Sequence, residues 1–433
     1  MVAFETLLLG LVMRVQTVSV MVAPPVSTVV LRVDGATVAG LRRPPWEAAI
    51  DFGARPRPHF LEAIGFDAEG REVSRASQWV NMPRAESEAR LLLERDPRSG
   101  VPTAARVTWE DVQAADPVEV RASLDGTPLA VLDGGAHVIL PPVDPANIHV
   151  LTVEVEFPEQ RLARTDVAFG GDLAGEVQTE LTAVPLTRDD PRTLPTVASL
   201  AGRFSVNGRP VRVVAVEEPI AEVVVVATVS AMRHLPGGLL AAASRQPRIL
   251  PIPAKAKDDR LFVIFTIPRI RTSRRGDTRW LFSATPPYRF SPASMGYTLV
   301  RLTFTAGRPE EEATGDAVAV GGLHAAAGNR RRVVVLLAGE RPRDDPDVDV
   351  DDVRGFLADL RVPLRVWSLN REAEPELRLQ WGEAEDASGV HRFGRAAKRL
   401  ADDLERQVIV WLDGAHLPQQ ISFAGAPGLA PVR

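Results

Sequence analysis

Over roughly its first half the chain alternates apolar and polar residues. VQTVSVMV (15–22) and TVVLRVDG (28–35) repeat with a period of two, so each predicts a strand with one apolar and one polar face. Asp34-Gly35 closes the second run with a hairpin signal, and ATVAG (36–40) forms the return strand. WEAAIDFG (46–53), HFLEAIGFDAEGRE (59–72) and SQWVNM (77–82) continue in the same style. Turn signals at Asp34-Gly35, Arg43-Pro44-Pro45 and Asp67–Gly70 space these strands as in a small antiparallel sandwich. Residues 86–187 repeat the pattern in LLLERD, ARVTWEDV, VEVRASLDGTPLAVLDG, AHVILP, HVLTVEVEFPE and ARTDVAF. Leu124-Asp125-Gly126-Thr127 repeats the phrase Val33-Asp34-Gly35-Ala36. The expectation is two all-β sandwiches in tandem, residues 1–84 and 85–190, with LTRDDPRTLPTVA (186–198) as a linker.

From about residue 199 the period changes. FSVNGRPVRVVAV (204–216) predicts one more hairpin around Asn207-Gly208, and AEVVVVATVSAM (221–232) carries four consecutive valines into a short polar turn. LFVIFTI (261–267), WLFSA (280–284) and YTLVRLTF (297–304) read as strands, and DAVAVGGLHAAAG (316–328) as an Ala/Gly-rich helix. Val353, Phe356, Leu357 and Leu360 recur at helical spacing, as do Phe393, Ala397, Leu400 and Leu404. Between and after these helices lie the apolar runs VVVLL (333–337), VPLRVWSL (362–369) and VIVWL (408–412). Short unalternated strands separated by amphipathic helices imply a mostly parallel sheet covered on both faces, so residues 199–433 are expected to form an α/β domain.

Composition narrows the function classes. A chain of 433 residues exceeds one ordinary core, so roughly two to four domains are expected. With 45% hydrophobic and 25% charged residues it is a soluble globular type, and a net charge of −5 argues against a general nucleic-acid binder. Cysteine is absent, which removes disulfides, thiol nucleophiles and thiolate metal sites. No segment reaches the roughly 18–20 apolar residues of a membrane span. The apolar run Leu7–Met13 follows Glu5 and lacks a basic n-region and a cleavage site, so it is not a convincing signal peptide; a mis-chosen start codon or a lost leader is the alternative.

The order of modules resembles the vWA-related (von Willebrand factor A) proteins common in acidobacteria, in which Ig-like strands precede a vWA domain. The residues that carry the resemblance are Asn207-Gly208-Arg209-Pro210 with VRVVAVEE (211–218) leading into AEVVVV, VDGATVAGLRRPP (33–45), Trp79 with Asn81, and VVVLLAGE (333–340). The resemblance implies two N-terminal Ig-like sandwiches followed by a Rossmann-like α/β vWA-like domain. It also locates the family's cation motif, Asp-x-Ser-x-Ser, on Ala227, Val229 and Ala231, and its distal aspartate on Gly339. Thr314 falls loosely where the family has a separate threonine. Both carboxylates and both hydroxyls are replaced, and a hard divalent cation needs several oxygen ligands. The expected function is therefore a non-catalytic protein–protein interaction or scaffold protein of the bacterial envelope, extracytoplasmic, without cofactor or metal. Its partner is a protein of unknown identity. The rival is a metal-dependent adhesin drawing its ligands from Glu340, Thr228, Ser230 or the acidic run described next.

That run, Asp344–Asp352, packs six aspartates into nine positions. Asp347, Asp349 and Asp351 have the spacing that opens an EF-hand loop, but Asp352 stands where that loop needs glycine and Ala358 where it needs glutamate. The bland reading is a solvated loop whose last aspartates cap the next helix. The seven histidines (59, 137, 149, 234, 324, 391, 416) show no zinc spacing, although His137 and His149 lie on neighbouring predicted strands. No serine stands in a nucleophile elbow and no phosphate-binding glycine loop follows a strand. Gly321-Gly322 is expected to permit close helix packing. Arg275-Gly276-Asp277, the surrounding arginines 271–279 and Arg330–Arg332 are expected to be solvated.

Overall fold

The structure is a computed structural model. It describes residues 2–432 apart from 7, 9–10, 83–86, 97–98, 112–115, 158–161, 172–180, 237–250, 256–257, 269, 275–276, 283, 303–311 and 343–347. Among the described residues no helix is long and apolar enough to cross a membrane.

The first module contains β1 (Val2–Phe4), β2 (Val15–Val22), β3 (Thr28–Val33), β4 (Ala36–Leu41), β5 (Glu47–Asp51), β6 (His59–Phe66) and β7 (Glu72–Val80). They pair antiparallel in two sheets, ordered β1-β2-β5 and β4-β3-β6-β7. The alternation turns Val18, Val20, Val29, Leu31, Ile50, Leu61 and Ala63 into the space between them. The N-terminal apolar run belongs to this core, for Leu8 and Val12 are buried in it. Two side chains stitch the run in place. Gln78 Oε1 accepts from Leu8 N (3.3 Å), and Asn81 both accepts from Val12 N and donates to Val12 O (2.7 Å each). Asn81 has φ +54°, a left-handed conformation that asparagine tolerates.

The second module holds β8 (Ser87–Arg95), β9 (Pro102–Asp111), β10 (Glu119–Leu124), β11 (Thr127–Leu129), β12 (Val131–Leu132), β13 (His137–Ile139), β14 (Ile148–Glu156) and β15 (Leu162–Gly170). Its sheets run β12-β13-β9-β8 and β11-β10-β14-β15, again antiparallel. His137 and His149 sit in different sheets, the first against Glu94 and Asp133 and the second against Asp125 and the Asp144 carbonyl. The repeated Asp-Gly phrase is a repeated device. Asp34-Gly35 and Asp125-Gly126 all have positive φ, as tight hairpin turns require. Each aspartate accepts from a backbone N–H of the neighbouring strand, Phe60 or Val150 (2.8 Å in both). Each also meets Nδ1 of the preceding histidine, His59 or His149 (2.7 Å in both).

The chain continues through β16 (Leu181–Arg188), α1 (Val197–Leu200), β17 (Phe204–Val206), β18 (Arg209–Pro210), β19 (Val213–Glu217), β20 (Ala221–Ala227), α2 (Val229–Arg233), β21 (Arg260–Phe265), β22 (Ile270–Arg274), β23 (Asp277–Leu281) and β24 (Tyr288–Arg289). Then follow α3 (Pro292–Arg301), α4 (Thr314–Ala327), β25 (Arg331–Ala338), α5 (Val350–Asp359), β26 (Leu364–Ser368), α6 (Glu374–Trp381), β27 (Glu385–Asp386), α7 (Val390–Glu405), β28 (Gln407–Asp413), β29 (Ile421–Phe423) and β30 (Leu429–Pro431).

A six-stranded mixed sheet runs β24-β21-β20-β25-β26-β27. Its pairings are parallel except for the antiparallel edge strand β24. Counted in chain order this is 3-2-1-4-5-6, the order of a doubly wound sheet, with its switch point between β20 and β25. The valine run of β20 is buried on both faces. Val224 and Val226 pack towards α4, α5 and α6, and Val223 and Val225 towards α3 and α7. Close packing at the glycine pair is as expected: a Cβ at Gly322 would overlap the Leu357 side chain of α5, and one at Gly321 would press on Val226.

Three segments depart from the sequence reading. VIVWL (408–412), expected to end the parallel sheet, lies instead in a separate antiparallel sheet, β19-β28-β16-β30. This strand is also buried on both faces, Val408, Val410 and Leu412 on one side and Ile409 and Trp411 on the other. An unbroken apolar run does not distinguish the two cases. Leu181–Arg188, expected at the close of the second sandwich, is the central partner of that same strand. YTLVRLTF (297–304), expected as a strand, is helical as far as Arg301. Ser291 caps α3 by accepting from Ser294 N, and Pro292 opens its first turn, which outweighs the β-branched residues that follow; residues 303–304 lie outside the described residues.

Candidate functional site

In a doubly wound sheet ligands bind outside the carboxyl ends of the strands at the switch point. Here β20 delivers Ala227, Thr228 and α2, while β25 delivers Gly339 and Glu340. Ala227, Val229 and Ala231 are buried core residues, so the three positions matched to the family's cation motif do not open onto a crevice. The hydroxyls fall on the alternate positions. Thr228 caps α2 by accepting from Ala231 N (3.0 Å) and lies 2.9 Å from Ser230 Oγ. Ser230 Oγ in turn accepts from both Gly339 N and Glu340 N (3.1 Å each). The turn after β25 is thereby fastened to α2.

A carboxylate that the sequence reading missed completes the network. Glu312, buried just before α4, accepts through one oxygen from Val229 N (2.6 Å) and from the Thr266 hydroxyl. Thr266 follows β21 and donates its backbone N–H to Ala227 O (3.2 Å), while Ala313 N donates to Thr266 O (2.9 Å). The ends of β20, β21 and β25 and the start of α4 are thus joined by hydroxyls, amides and one carboxylate. Thr314 opens α4 beside Glu312 and is buried. The turn leaves no room for the distal aspartate that the resemblance implies at Gly339. A Cβ there would overlap the Ser230 carbonyl and crowd His234 Nδ1, which itself lies 2.9 Å from Ser230 O. Glu310-Glu311-Glu312 before a helix is the one local signal that pointed to an acidic residue here.

The acidic run is placed in part. Asp347 lies outside the described residues. Asp349 caps α5, accepting from Asp352 N (2.9 Å). The Asp351 side chain is 95% exposed, with Arg354 no nearer than 3.9 Å. Burial, and then the neighbouring Asp349, push the Asp352 carboxyl up. Among the described residues no three histidine, aspartate or glutamate side chains are grouped so as to hold a metal.

The amino end of the same sheet is built from charges. Arg330, Arg331 and Arg332, expected to be solvated, are all buried. Arg330, only 1% exposed, reaches from the start of β25 to Glu154 of the second sandwich and lies 3.6 Å from Glu222 of β20. Arg260 approaches Glu222 at 3.9 Å, and Arg121 approaches Glu154 at 3.8 Å and Glu156 at 3.0 Å. Burial, and then the nearby Arg330, lower the Arg260 pKa. Arg332 donates to the carbonyls of Ala326, Leu360 and Arg361, the last turns of α4 and α5, where a cation offsets the helix dipoles. Burial, with Arg361 adding to it, lowers the pKa of Arg332 to about 10, still charged at neutral pH. The side chains of residues 271–279, with the Arg-Gly-Asp tripeptide, lie outside the described residues.

No family model matches the sequence, and no curated protein matches it. Among solved structures it is similar to the fibronectin(III)-like modules of Clostridium thermocellum CbhA. There the identity is 17% and the TM-score 0.17, over 18% of this chain and 93% of that one. The central fibronectin-III array of RIM-binding protein gives 11% identity and a TM-score of 0.21 over 46% of this chain and 82% of that one. A β-glycosidase from Bacteroides vulgatus gives 14% identity and a TM-score of 0.21 over 39% of this chain and 24% of that one. None of these likenesses extends to the arrangement of the whole chain.

Proposed function

We propose that this is a non-catalytic, extracytoplasmic interaction or scaffold protein of the bacterial envelope, whose α/β part is a metal-free vWA-like unit. One observation carries the reading. The place where a doubly wound sheet takes its ligand is occupied by the protein's own groups, with Ser230 holding the β25 turn and Glu312 holding α2 and β21. The sheet order with one antiparallel edge strand and the two sandwiches ahead of it support the same assignment. The sandwiches are more than loose spacers. Leu11, Met13 and Met82 of the first pack against the α4–α5–α6 side, and Gln419 donates to Pro58 O (2.7 Å). Ile148 and Val150 of the second pack with Val214, Ile409 and Trp411.

A metal-dependent adhesin is the second reading, and one observation favours it: Glu312 brings a carboxylate to the Thr266 hydroxyl and to Val229 N, which stands between the hydroxyl-bearing Thr228 and Ser230. Calorimetry with Mg²⁺, Mn²⁺ and Ca²⁺ separates the two. The metal-free reading expects no heat of binding and no change in thermal midpoint. Micromolar binding that disappears in both Glu312→Gln and Glu340→Ala establishes the adhesin instead. Fractionation of the native host, followed by capture of partners from its envelope, tests the location and the interaction role.

A further inference from the structure

We infer that His149 is a proton-operated latch at the seam between the second sandwich and the sheet carrying β28. Its Nδ1 lies 2.7 Å from Asp125 Oδ2 and its Nε2 3.0 Å from the carbonyl oxygen of Asp144. An ionised carboxylate and a carbonyl only accept, so both ring nitrogens must donate, and only the imidazolium carries both hydrogens. A neutral ring keeps one of these bonds and turns a lone pair on the other oxygen. The equivalent clasp in the first sandwich makes a different demand. His59 meets Asp34 through Nδ1 at 2.7 Å, while its buried Nε2 has no hydrogen-bond partner among the described residues, so one ring hydrogen suffices there.

The latch holds a defined loop. The Asp144 carboxylate accepts from Ala146 N and from Asn147 Nδ2 (3.0 Å each), and Gly171 N donates to Pro145 O (2.8 Å). A Cβ at Gly170 would overlap the carbonyl of Asn147, so this loop lies hard against the end of β15. Ile148 and Val150, on either side of His149, pack into the cluster with Val214, Ile409 and Trp411. Among the described residues, the charged groups facing the ring are Asp125 from the β10–β11 turn and Asp144 from the loop before β14. From β15 it meets the uncharged Phe169 ring at 5.8 Å. Burial works against the charged ring, but the Asp125 hydrogen bond, the Asp144 carbonyl and the two carboxylates outweigh it, and the pKa lies above the ordinary histidine value. A pKa raised on folding stabilises fully below the unfolded value, and that stabilisation is lost as pH rises through the folded one. The loop is therefore held on the acid side and released towards alkaline pH.

The test is an NMR titration of the histidine rings of the full chain, with amide exchange read at Ala146, Asn147 and Val150. The His149 ring is expected to titrate above the usual 6.5, and Asp125→Asn to lower that midpoint. Protection of the three amides should fall about tenfold between about pH 6 and about pH 9 once intrinsic exchange is corrected for. In His149→Gln the same amides should exchange alike at both pH values. A wild-type midpoint at or below 6.5, or protection unchanged across the titration, overturns the latch, and neither reading depends on a variant folding.

Discussion

At the carboxyl end of the six-stranded sheet, Thr228 and Ser230 bond to each other and to backbone amides, and a single carboxylate, Glu312, ties Val229 N to the Thr266 hydroxyl. At the amino end, Arg330, Arg260 and Arg121 crowd around Glu154 and Glu222. The end that usually takes a ligand is closed with short polar groups contributed by neighbouring loops. The opposite end, usually inert, gathers buried charge and uses it to hold another module of the same chain. Closing a crevice with hydroxyls adds little buried charge, whereas docking a sandwich through arginines desolvates several charges that must stay paired. The two ends should therefore fail differently when single partners are removed.

The largest effect is expected at the amino end. Arg330→Ala leaves Glu154 and Glu222 without their shared buried cation. Removing one partner of a buried pair costs about 3–5 kcal/mol, read as a fall in the midpoint of chemical denaturation. Removing the charges on both sides, in Arg330→Met with Glu154→Gln, should recover much of that loss. If Arg330→Ala costs no more than a surface substitution, the cluster does not hold the modules together and the comparison collapses.

The next effect belongs to the carboxyl end. Gly339→Asp restores the acid that the resemblance calls for, yet its Cβ would overlap the Ser230 carbonyl. Overpacking of this kind costs about 1–3 kcal/mol, and thermal unfolding with and without Mg²⁺ should show destabilisation and no metal response. A variant rescued by Mg²⁺ would mean that the crevice is only the empty form of a cation site. Glu312→Ala should cost about 1–3 kcal/mol, the loss expected when a buried N–H and hydroxyl lose their acceptor, and is measured in the same way. A smaller loss for Glu312→Gln, whose amide oxygen can still accept, would show that the hydrogen bonds matter there more than the charge.

Legibility followed sequence distance. Val223–Val226 reads as a doubly buried strand because no polar residue interrupts it, and both faces are covered in the fold. The same pattern in Val408–Leu412 hides an antiparallel strand, since period alone records burial and not pairing direction. The Asp-Gly hairpins are legible, but their histidine clasps are not, because His59 and His149 act 25 and 24 residues away from their aspartates. The closing network is harder still. Val229 and Glu312 are 83 residues apart, and Arg330 and Glu154 are 176 apart. Arg330–Arg332 looks solvated only while the helix ends and the sandwich that cover it are out of view.

The smallest effect concerns Asp349, which shares the carboxyl side of the sheet with the closed crevice but acts alone. It caps α5 by accepting from Asp352 N. Asp349→Ala should cost about 1 kcal/mol, the usual worth of an N-cap. Asp349→Ser, which can still cap, should recover most of it. Thermal unfolding of wild type and both variants, repeated with Ca²⁺, separates capping from ligation. If the residue only caps, the serine variant behaves like wild type and Ca²⁺ shifts none of the three. If Ca²⁺ stabilises wild type and fails on the serine variant, Asp349 is a ligand. The carboxyl side of the sheet would then hold a cation beside the closed crevice, and its contrast with the charged amino end would narrow to the switch point itself.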